Sequence, residues 1–230
     1  MATRPRGDWA QLGGLQVHTT GLAPIHWNGA HLTSTDGLDH LPDAARWFAA
    51  RGVPWGLLVP AELGVVPDGF RHVADQRVQL RTLDDLPALS PSPSVRLSWR
   101  PPVEDAAAVQ SEAFEDPLPL ARDFVTPKLV NAACHVVVAY EGGSSARPRP
   151  VATATGVLVD GVVAVFGVGT LAGHRRRGLG RTVTLALLHR AHELGADLAY
   201  LNPSTLGSGM YLCLGFQEVA PWRIWSPPET

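Results

Sequence analysis

The sequence predicts a mixed α/β fold, in which a mostly antiparallel sheet is flanked by helices and follows a degenerate N-terminal half-domain of related topology. Two observations in the second half of the chain predict it. Three successive runs rich in Val and Ala have the composition of neighbouring strands, at residues 134–140, 151–159 and 162–169. The apolar residues of 179–194 then recur at helical spacing. An antiparallel meander followed by a helix therefore organises this half.

The elements before the meander are a strand, a helix and an irregular stretch. Residues 95–100 alternate as a short strand, and residues 103–114 form a helix with acidic residues in its first turn. Prolines punctuate residues 116–126, which favours a loop and a short helix over one long helix.

Turn signals connect the remaining elements. Asp160 and Gly161 make the two-residue turn that hairpins favour. Gly195 ends the helix, and a strand at 197–201 follows. The polar residues 141–150 lie between two predicted strands, so we expect a long, mobile hairpin loop there.

Composition places a domain boundary near residue 90. Proline and serine replace the periodic apolar pattern at residues 87–94, as in a semi-rigid linker. The division that follows is a half-domain at 1–90, which has a helix at 42–51, and a larger domain at 91–230.

A weak internal repeat relates the two halves. Gly52 precedes VPWGLLVP and Gly195 precedes ADLAYLNP, so a helix-closing glycine and a strand ending in proline recur at the same spacing. Duplication and coincidence both account for this pattern. If duplication occurred, the first copy has lost the glycine and arginine loop of the second.

The overall composition excludes several protein classes. The chain has 230 residues, 45% of them hydrophobic, and a formal net charge of -2, which is typical of a globular protein and not of a dedicated nucleic-acid binder. No apolar run approaches the length of a membrane span, and residues 1–14 lack the apolar core of a secretory signal, so we expect a cytoplasmic protein. Cys134 and Cys213 are too few for a disulfide framework, and we expect buried free thiols and no metal site.

The segment TLAGHRRRGLGR, at residues 170–181, carries the chemistry. It leads from a strand into the N-terminus of the predicted helix, where unsatisfied backbone N–H groups and the helix dipole attract anions. Gly178 and Gly180 allow close backbone approach, and four arginines add positive charge. A diphosphate fits such a segment best. His174 is expected to be an exposed residue of this loop.

Two other phosphate-binding motifs fail on the residues. The run GVGTLA formally matches a dinucleotide fingerprint, but no helix begins at its second glycine and no acid ends the next strand. A P-loop requires Gly-Lys-Ser/Thr, and Lys128 is the only lysine of the chain. Nucleotide hydrolysis is therefore excluded.

The segment resembles the acetyl-coenzyme A loop of the GCN5-related N-acetyltransferases (GNATs), whose signature Arg175, Gly178 and Gly180 fill. A second motif agrees, because the family places a tyrosine four residues before a Gly-Phe pair, here Tyr211 before Gly215 and Phe216. The resemblance covers residues 95–226. It implies the GNAT fold, with acetyl-coenzyme A as cofactor.

The resemblance also implies the site residues. Main-chain groups of Val168 and Thr170 are expected to pair with the pantetheine arm, and a backbone N–H near Val168 to polarise the thioester carbonyl. Ser204 stands in a variant of the family's closing segment. The expected cofactor-binding residues are Val168, Thr170, Arg175, Arg176, Arg177, Gly178, Gly180, Arg181 and Ser204.

Tyr211 is the expected general acid for the departing thiolate. Many relatives carry a glutamate on the strand equivalent to 162–169, but this run has no titratable side chain. Deprotonation of the amine is left to water or to a residue from elsewhere. Four acids stand in the region that shapes the acceptor site in relatives: Glu112, Glu115, Asp116 and Asp123.

The resemblance implies acetyl transfer from acetyl-coenzyme A to a primary amine by direct attack, with a small molecule as the acceptor. The alternatives are a protein acceptor, or a catalytically silent sensor that binds acyl-coenzyme A. Among partners we expect the small-molecule amine, no nucleic acid and no membrane, and a homodimer is compatible with the sequence.

Overall fold

The computed structural model describes residues 7–22, 27–90, 92, 94–142 and 148–228. The chain divides into two compact units, Met1–Val78 with Val219–Thr230, and Gln79–Glu218. Part of the predicted hairpin loop at 141–150 lies outside the described residues. None of the helices in the described part is long and apolar enough to cross a membrane.

The first unit is built on an antiparallel meander of three short strands. These are β1 (Asp8–Leu12), β2 (Leu15–Thr19) and β3 (Asn28–Leu32). A 3-10 helix (Thr35–His40) and helix α1 (Leu41–Ala49) lead to β4 (Gly56–Pro60), which pairs with β3 in parallel. Phe48 of α1 is fully buried and stacks on Trp55 at 4.9 Å between ring centroids, so this helix closes the core of the unit.

The second unit repeats this order of meander, helix and parallel strand and adds further elements. Its sheet contains β6 (Val95–Ser98), β7 (Cys134–Glu141), β8 (Arg149–Val159), β9 (Val162–Thr170) and β10 (Leu198–Leu201). Strands β6 to β9 pair antiparallel in sequence order, and β10 pairs with β9 in parallel. The helices are α2 (Val103–Phe114), α3 (Leu118–Val130), α4 (Leu179–Glu193) and α5 (Ser208–Cys213).

Alternate residues of β7 bury on opposite faces of this sheet. Val137 and Ala139 pack into the cluster that contains Val183 and Leu187 of α4. Val136 and Val138 pack with Val125 of α3 in a separate cluster. Helix α4 therefore covers one face and α3 the other, so a mixed sheet flanked by helices is confirmed.

Two long strands, β5 (Arg71–Thr82) and β11 (Gln217–Ser226), contribute residues to both units. Residues 79–82 of β5 pair antiparallel with β10, and residues 222–225 of β11 pair antiparallel with β4. The structural units therefore differ from the predicted division at residue 90. Residues 79–90 belong to the second unit, because β5 completes its sheet and Leu83 lies in its core.

Two local predictions were wrong. Helix α3 is continuous where a loop and a short helix were expected, because Pro119 falls in the first turn, where no N–H partner is needed, and Pro127 falls in the last turns. Cys134 is half-buried, but Cys213 is exposed, because the one-and-a-half turns of α5 bury other positions; both thiols are free. The hairpin turn at Asp160 and Gly161 and the bounds of α2 are confirmed.

We expect the fragment 79–218 to unfold cooperatively and the fragment 91–218 to show no cooperative transition. The shorter fragment lacks Gln79 and Leu83, which are 0% and 1% exposed, and it leaves one edge of β10 unpaired. A single Leu→Ala change at such a site costs about 3 kcal/mol. Thermal melts followed by circular dichroism compare the two, and equal transitions would show that β5 contributes nothing.

A second prediction concerns acid stability. His18 and His31 lie on neighbouring strands, with 5.0 Å between their ring centroids. The pKa of His31 is lowered from 6.5 to about 4, mainly by burial and to a smaller extent by the charge of His18. Between pH 4 and pH 6.5, His31 binds a proton in the unfolded chain but is neutral in the folded chain. Stability is therefore full above pH 6.5 and is lost as the pH falls towards 4, with a slope approaching about 1.4 kcal/mol per pH unit. Denaturant unfolding at several pH values measures the slope, and His31→Phe should reduce it.

Candidate functional site

Strand β9 loses one of its two neighbours halfway along its length. Its parallel register with β10 ends at Val165, where β10 itself ends, whereas its antiparallel register with β8 continues to Thr170. Residues 166–170 therefore present main-chain N–H and C=O groups on a side where β10 no longer runs. An extended ligand can pair with such an edge as an added strand.

A β-bulge at Gly167 lies at the start of this open edge. Thr153 and Thr155 of β8 pair with Gly169 and Phe166, so β9 carries one extra residue between them. Gly167 has φ 59°, and a Cβ there would lie 3.2 Å from Oε1 of Gln110 on α2. Bulges of this kind re-aim the chain beside active sites, and here the backbone lies directly against a buried polar side chain.

The loop 171–178 ends at an uncapped helix N-terminus. Gly178 is the N-cap of α4 with φ 78°, no side chain caps the helix, and its first turn holds no acid. The space around the position of a Cβ at Gly178 is open, and a Cβ at Gly180 would lie 3.3 Å from Sδ of Met210. The first-turn N–H groups therefore have no side-chain cap, and anion binding at this helix end stays a prediction.

The four arginines of the segment 170–181 divide into two pairs. Nε of Arg175 donates to the main-chain oxygen of Thr170 at 3.3 Å, and the guanidinium of Arg177 forms an ion pair with Glu141. Arg176 and Arg181 are exposed, and neither has a partner among the described residues. Arg176 and Arg181 are thus the arginines with free guanidinium groups, while Arg175 and Arg177 fix the loop to its surroundings.

Glu141 is a structural residue that the sequence did not indicate. It ends β7, and its carboxylate contacts both Arg177 and His174, with 3.3 Å to Nε2 of the histidine. The His174 side chain is only 13% exposed, so the expectation of an exposed histidine was wrong. Glu112 adds a second anchor, because its Oε1 accepts a hydrogen bond from the N–H of Ala172 at 3.2 Å. Two carboxylates thus hold the loop from two elements.

Tyr211 lies on α5 beside the start of α4. The neighbouring Met210 is in contact range of the Gly180 position, which brings α5 against the first turn of α4. Tyr211 is 8% exposed, packs edge-on to Phe216 at 5.8 Å between ring centroids, and its hydroxyl has no hydrogen-bond partner in the described part of the chain. Burial raises the pKa of the phenol to about 12, so it stays protonated at neutral pH.

The remaining predicted cofactor residues are engaged by the protein itself. Val168 packs partly against the α4 core, and the carbonyl of Thr170 is the acceptor of Arg175. The hydroxyl of Ser204 accepts from the N–H of Gly207 at 3.2 Å, and its carbonyl accepts from the N–H of Ser208, so Ser204 shapes the turn before α5. Cofactor contacts by these residues stay predictions.

Two of the predicted acids near the acceptor region have a defined position. Glu112 is committed to the loop, and Glu115 ends α2 with φ 59°. Sequence reasoning missed Gln110, which is 5% exposed, faces Gly167, and has no hydrogen-bond partner among the described residues. Its signal was a polar residue on the buried face of α2, next to Ala106, Ala107 and Val109.

Comparison with known proteins gives a consistent set of likenesses. The matching family is described as "Probable histone acetyltransferase Rv0428c C-terminal" and covers residues 8–223. A comparison with curated proteins gives no match. A GCN5-related N-acetyltransferase from Kribbella flavida is similar in structure, with a TM-score of 0.75 and 24% identity over 97% of this chain and 90% of that chain.

Two further solved structures share the fold. One is a GCN5-related N-acetyltransferase from Sphaerobacter thermophilus, with a TM-score of 0.63 and 17% identity over 94% of this chain and 77% of that chain. The other is described as a tandem GNAT protein from the clavulanic acid biosynthesis pathway, with a TM-score of 0.63 and 16% identity over 98% of this chain and 85% of that chain. The predicted fold class is confirmed.

We expect Gly180→Glu to weaken coenzyme A binding at least about 100-fold, because a carboxylate in the first turn of α4 occupies the anion position. The fold should survive, since acids are favourable at helix N-termini and the nearest atom is the flexible thioether of Met210. Isothermal titration calorimetry measures the affinity. Ala45→Glu adds the same charge at an exposed position of α1 and serves as the control; equal affinities for both variants would contradict the assignment.

Proposed function

Because this chain belongs to the GCN5-related N-acetyltransferases, through the family matched over residues 8–223, we propose that it moves an acetyl group from acetyl-coenzyme A to the primary amine of a small molecule by direct transfer. One observation carries the proposal: the open edge of β9 leads directly into the uncapped N-terminus of α4. A strand edge suits the amides of a pantetheine arm, and the helix end suits its phosphates.

The residues present fit coenzyme A. The main chain at Val168 and Thr170 lies on the open edge, and the N–H groups after Gly178 lie at the helix end. Arg176 and Arg181 have guanidinium groups free of other partners among the described residues. When bound, acetyl-coenzyme A supplies the activated acyl group as a thioester. The absence of an acid from the first turn of α4 supports this fit, since an acid there would repel phosphate.

Two groups of the chain are suited to the transfer itself. A backbone N–H near Val168, beside the bulge, can stabilise negative charge that develops on an acyl oxygen, and such a donor is worth about 3 kcal/mol in the transition state. Burial keeps the phenol of Tyr211 protonated at neutral pH, so its proton is present for donation to the departing sulfur. Both groups are held by packed elements, which reduces the reorganisation that the transfer requires.

No side chain of β9 can take the proton that the acceptor amine loses, because the sequence of this strand, VVAVFGVGT, contains no titratable residue. We therefore assign this proton to water, with the neutral form of the amine as the reactive species. Gln110 supplies an unpartnered amide beside the bulge, suited to hydrogen bonding with the acceptor or the acyl group.

Two observations each favour an alternative function. The matched family's description names a histone acetyltransferase, which favours a protein acceptor. The lack of a titratable group on β9 favours a silent sensor of acyl-coenzyme A. A thiol-release assay with small amines and a lysine peptide separates the three: binding of coenzyme A without turnover on any acceptor would favour the sensor.

Tyr211→Phe should lower kcat about 100-fold while leaving the Kd of coenzyme A unchanged, because the phenol acts on the leaving group and not on the phosphates. The ring of phenylalanine preserves the packing on Phe216. Steady-state kinetics and calorimetry measure the two quantities.

Tyr200→Phe is the matched control, because it removes a phenol from neighbouring β10, where Tyr200 is 39% exposed. It should leave kcat within about 2-fold. If Tyr211→Phe retained full kcat, the general-acid role would be wrong, although acetyl transfer itself would stand.

A further inference from the structure

A cleft of about 550 Å³ lies in the Gln79–Glu218 unit. It is bordered by the end of α3, the start of β7 and the second half of α4. His189 of α4, which lines it, stands about 16 Å along the helix axis from Gly178, at about 1.5 Å per residue. The phosphate-binding end of the proposed site is therefore at the opposite end of α4.

Lys128, the only lysine of the chain, lines this cleft without a carboxylate partner in the described part of the structure. Its ammonium donates to the main-chain oxygen of Phe124 and lies 3.2 Å from the centroid of that phenyl ring. Burial lowers its pKa to about 8, against a smaller opposing effect of the neighbouring Cys134. An anion that enters the cleft would compensate the charge of the ammonium.

The remaining lining is cationic and apolar. Arg100 has no partner among the described residues, and Arg190 is only loosely paired with Glu193, at 3.4 Å. Trp99, 39% exposed, and Leu129 add apolar surface to the same walls. The lining thus contains three cations and one carboxylate, together with Trp99, Cys134 and the imidazoles of His135 and His189.

We propose that this cleft binds a small organic anion, in which a carboxylate is attached to an aromatic or apolar body. The carboxylate is held by Lys128 and Arg100, and the body packs against Trp99 and Leu129. This site goes beyond the proposed acyl transfer. The rings of Phe124 and Phe166, 6.1 Å apart between centroids, lie beside Lys128 on the side of the β9 bulge, so an aromatic contact lies between the two sites.

Benzoate is the probe, with benzyl alcohol as its uncharged analogue, and calorimetry on the full chain measures both. Benzoate should bind at least 10-fold more tightly than benzyl alcohol. Lys128→Met should remove that preference, and Arg100→Gln should reduce it severalfold. Arg46→Gln removes one positive charge from the exposed face of α1 and should change nothing. Equal binding of the two probes, or equal losses in all three variants, would overturn the proposal.

The single lysine permits a second test on the unmodified protein. The protein is acetylated with a limiting amount of an N-hydroxysuccinimide ester, and peptide mass spectrometry measures the rate at each amine. Acetylation of Lys128 should be at least 5-fold slower in benzoate than in benzyl alcohol, because a bound anion keeps the lysine amine protonated. The α-amino group is the internal control and should react equally. Lack of protection at Lys128 would reject the site even if a variant failed to fold, and coenzyme A binding by Lys128→Met tests the acyl site independently.

Discussion

The separation of β9 from β10 after Val165 is the constraint on which the candidate site depends. A parallel pair joined by a helix normally keeps its ladder along the whole strand, but here β10 ends at Leu201 while β9 continues to Thr170. The connecting helix α4 follows the far end of β9 after the loop 171–178, and no side chain caps its N-terminus. The open strand edge and the candidate anion site are therefore neighbours along the chain.

The first unit shows what the same topology gives with other residues. Its meander, helix and parallel strand repeat the order β7–β8–β9–α4–β10, and the connection before the helix, residues 33–40, matches residues 171–178 in length. Yet Pro42 removes one N–H from the first turn of α1, and Asp43 places a carboxylate there that contacts His40. That helix end is closed to anions, which supports the interpretation of this unit as a degenerate copy.

The glycine and arginine loop combines two functions that its sequence does not separate. Arg175, Arg176, Arg177 and Arg181, interspersed with glycines, together predict anion binding, but Arg177 is held by Glu141 and Arg175 by the main-chain oxygen of Thr170. An ion pair at an exposed surface contributes little stability, about 0–1 kcal/mol, so the role of these two contacts is to fix the course of the loop. The positioning of the helix end then depends on β7, which is distant in sequence.

Most elements of the second half of the chain, and the candidate anion-binding segment 170–181, could be predicted from the sequence alone. Periodicity over α4 and the positions of Gly178 and Gly180 act within one or two turns, so they can be read without tertiary contacts. The tertiary structure decided which strand completes each sheet, which arginines remain free, and that Gln110 faces the bulge. The strand pairings and the free arginines depend on contacts between residues far apart in the chain, for which neither composition nor spacing carries a signal.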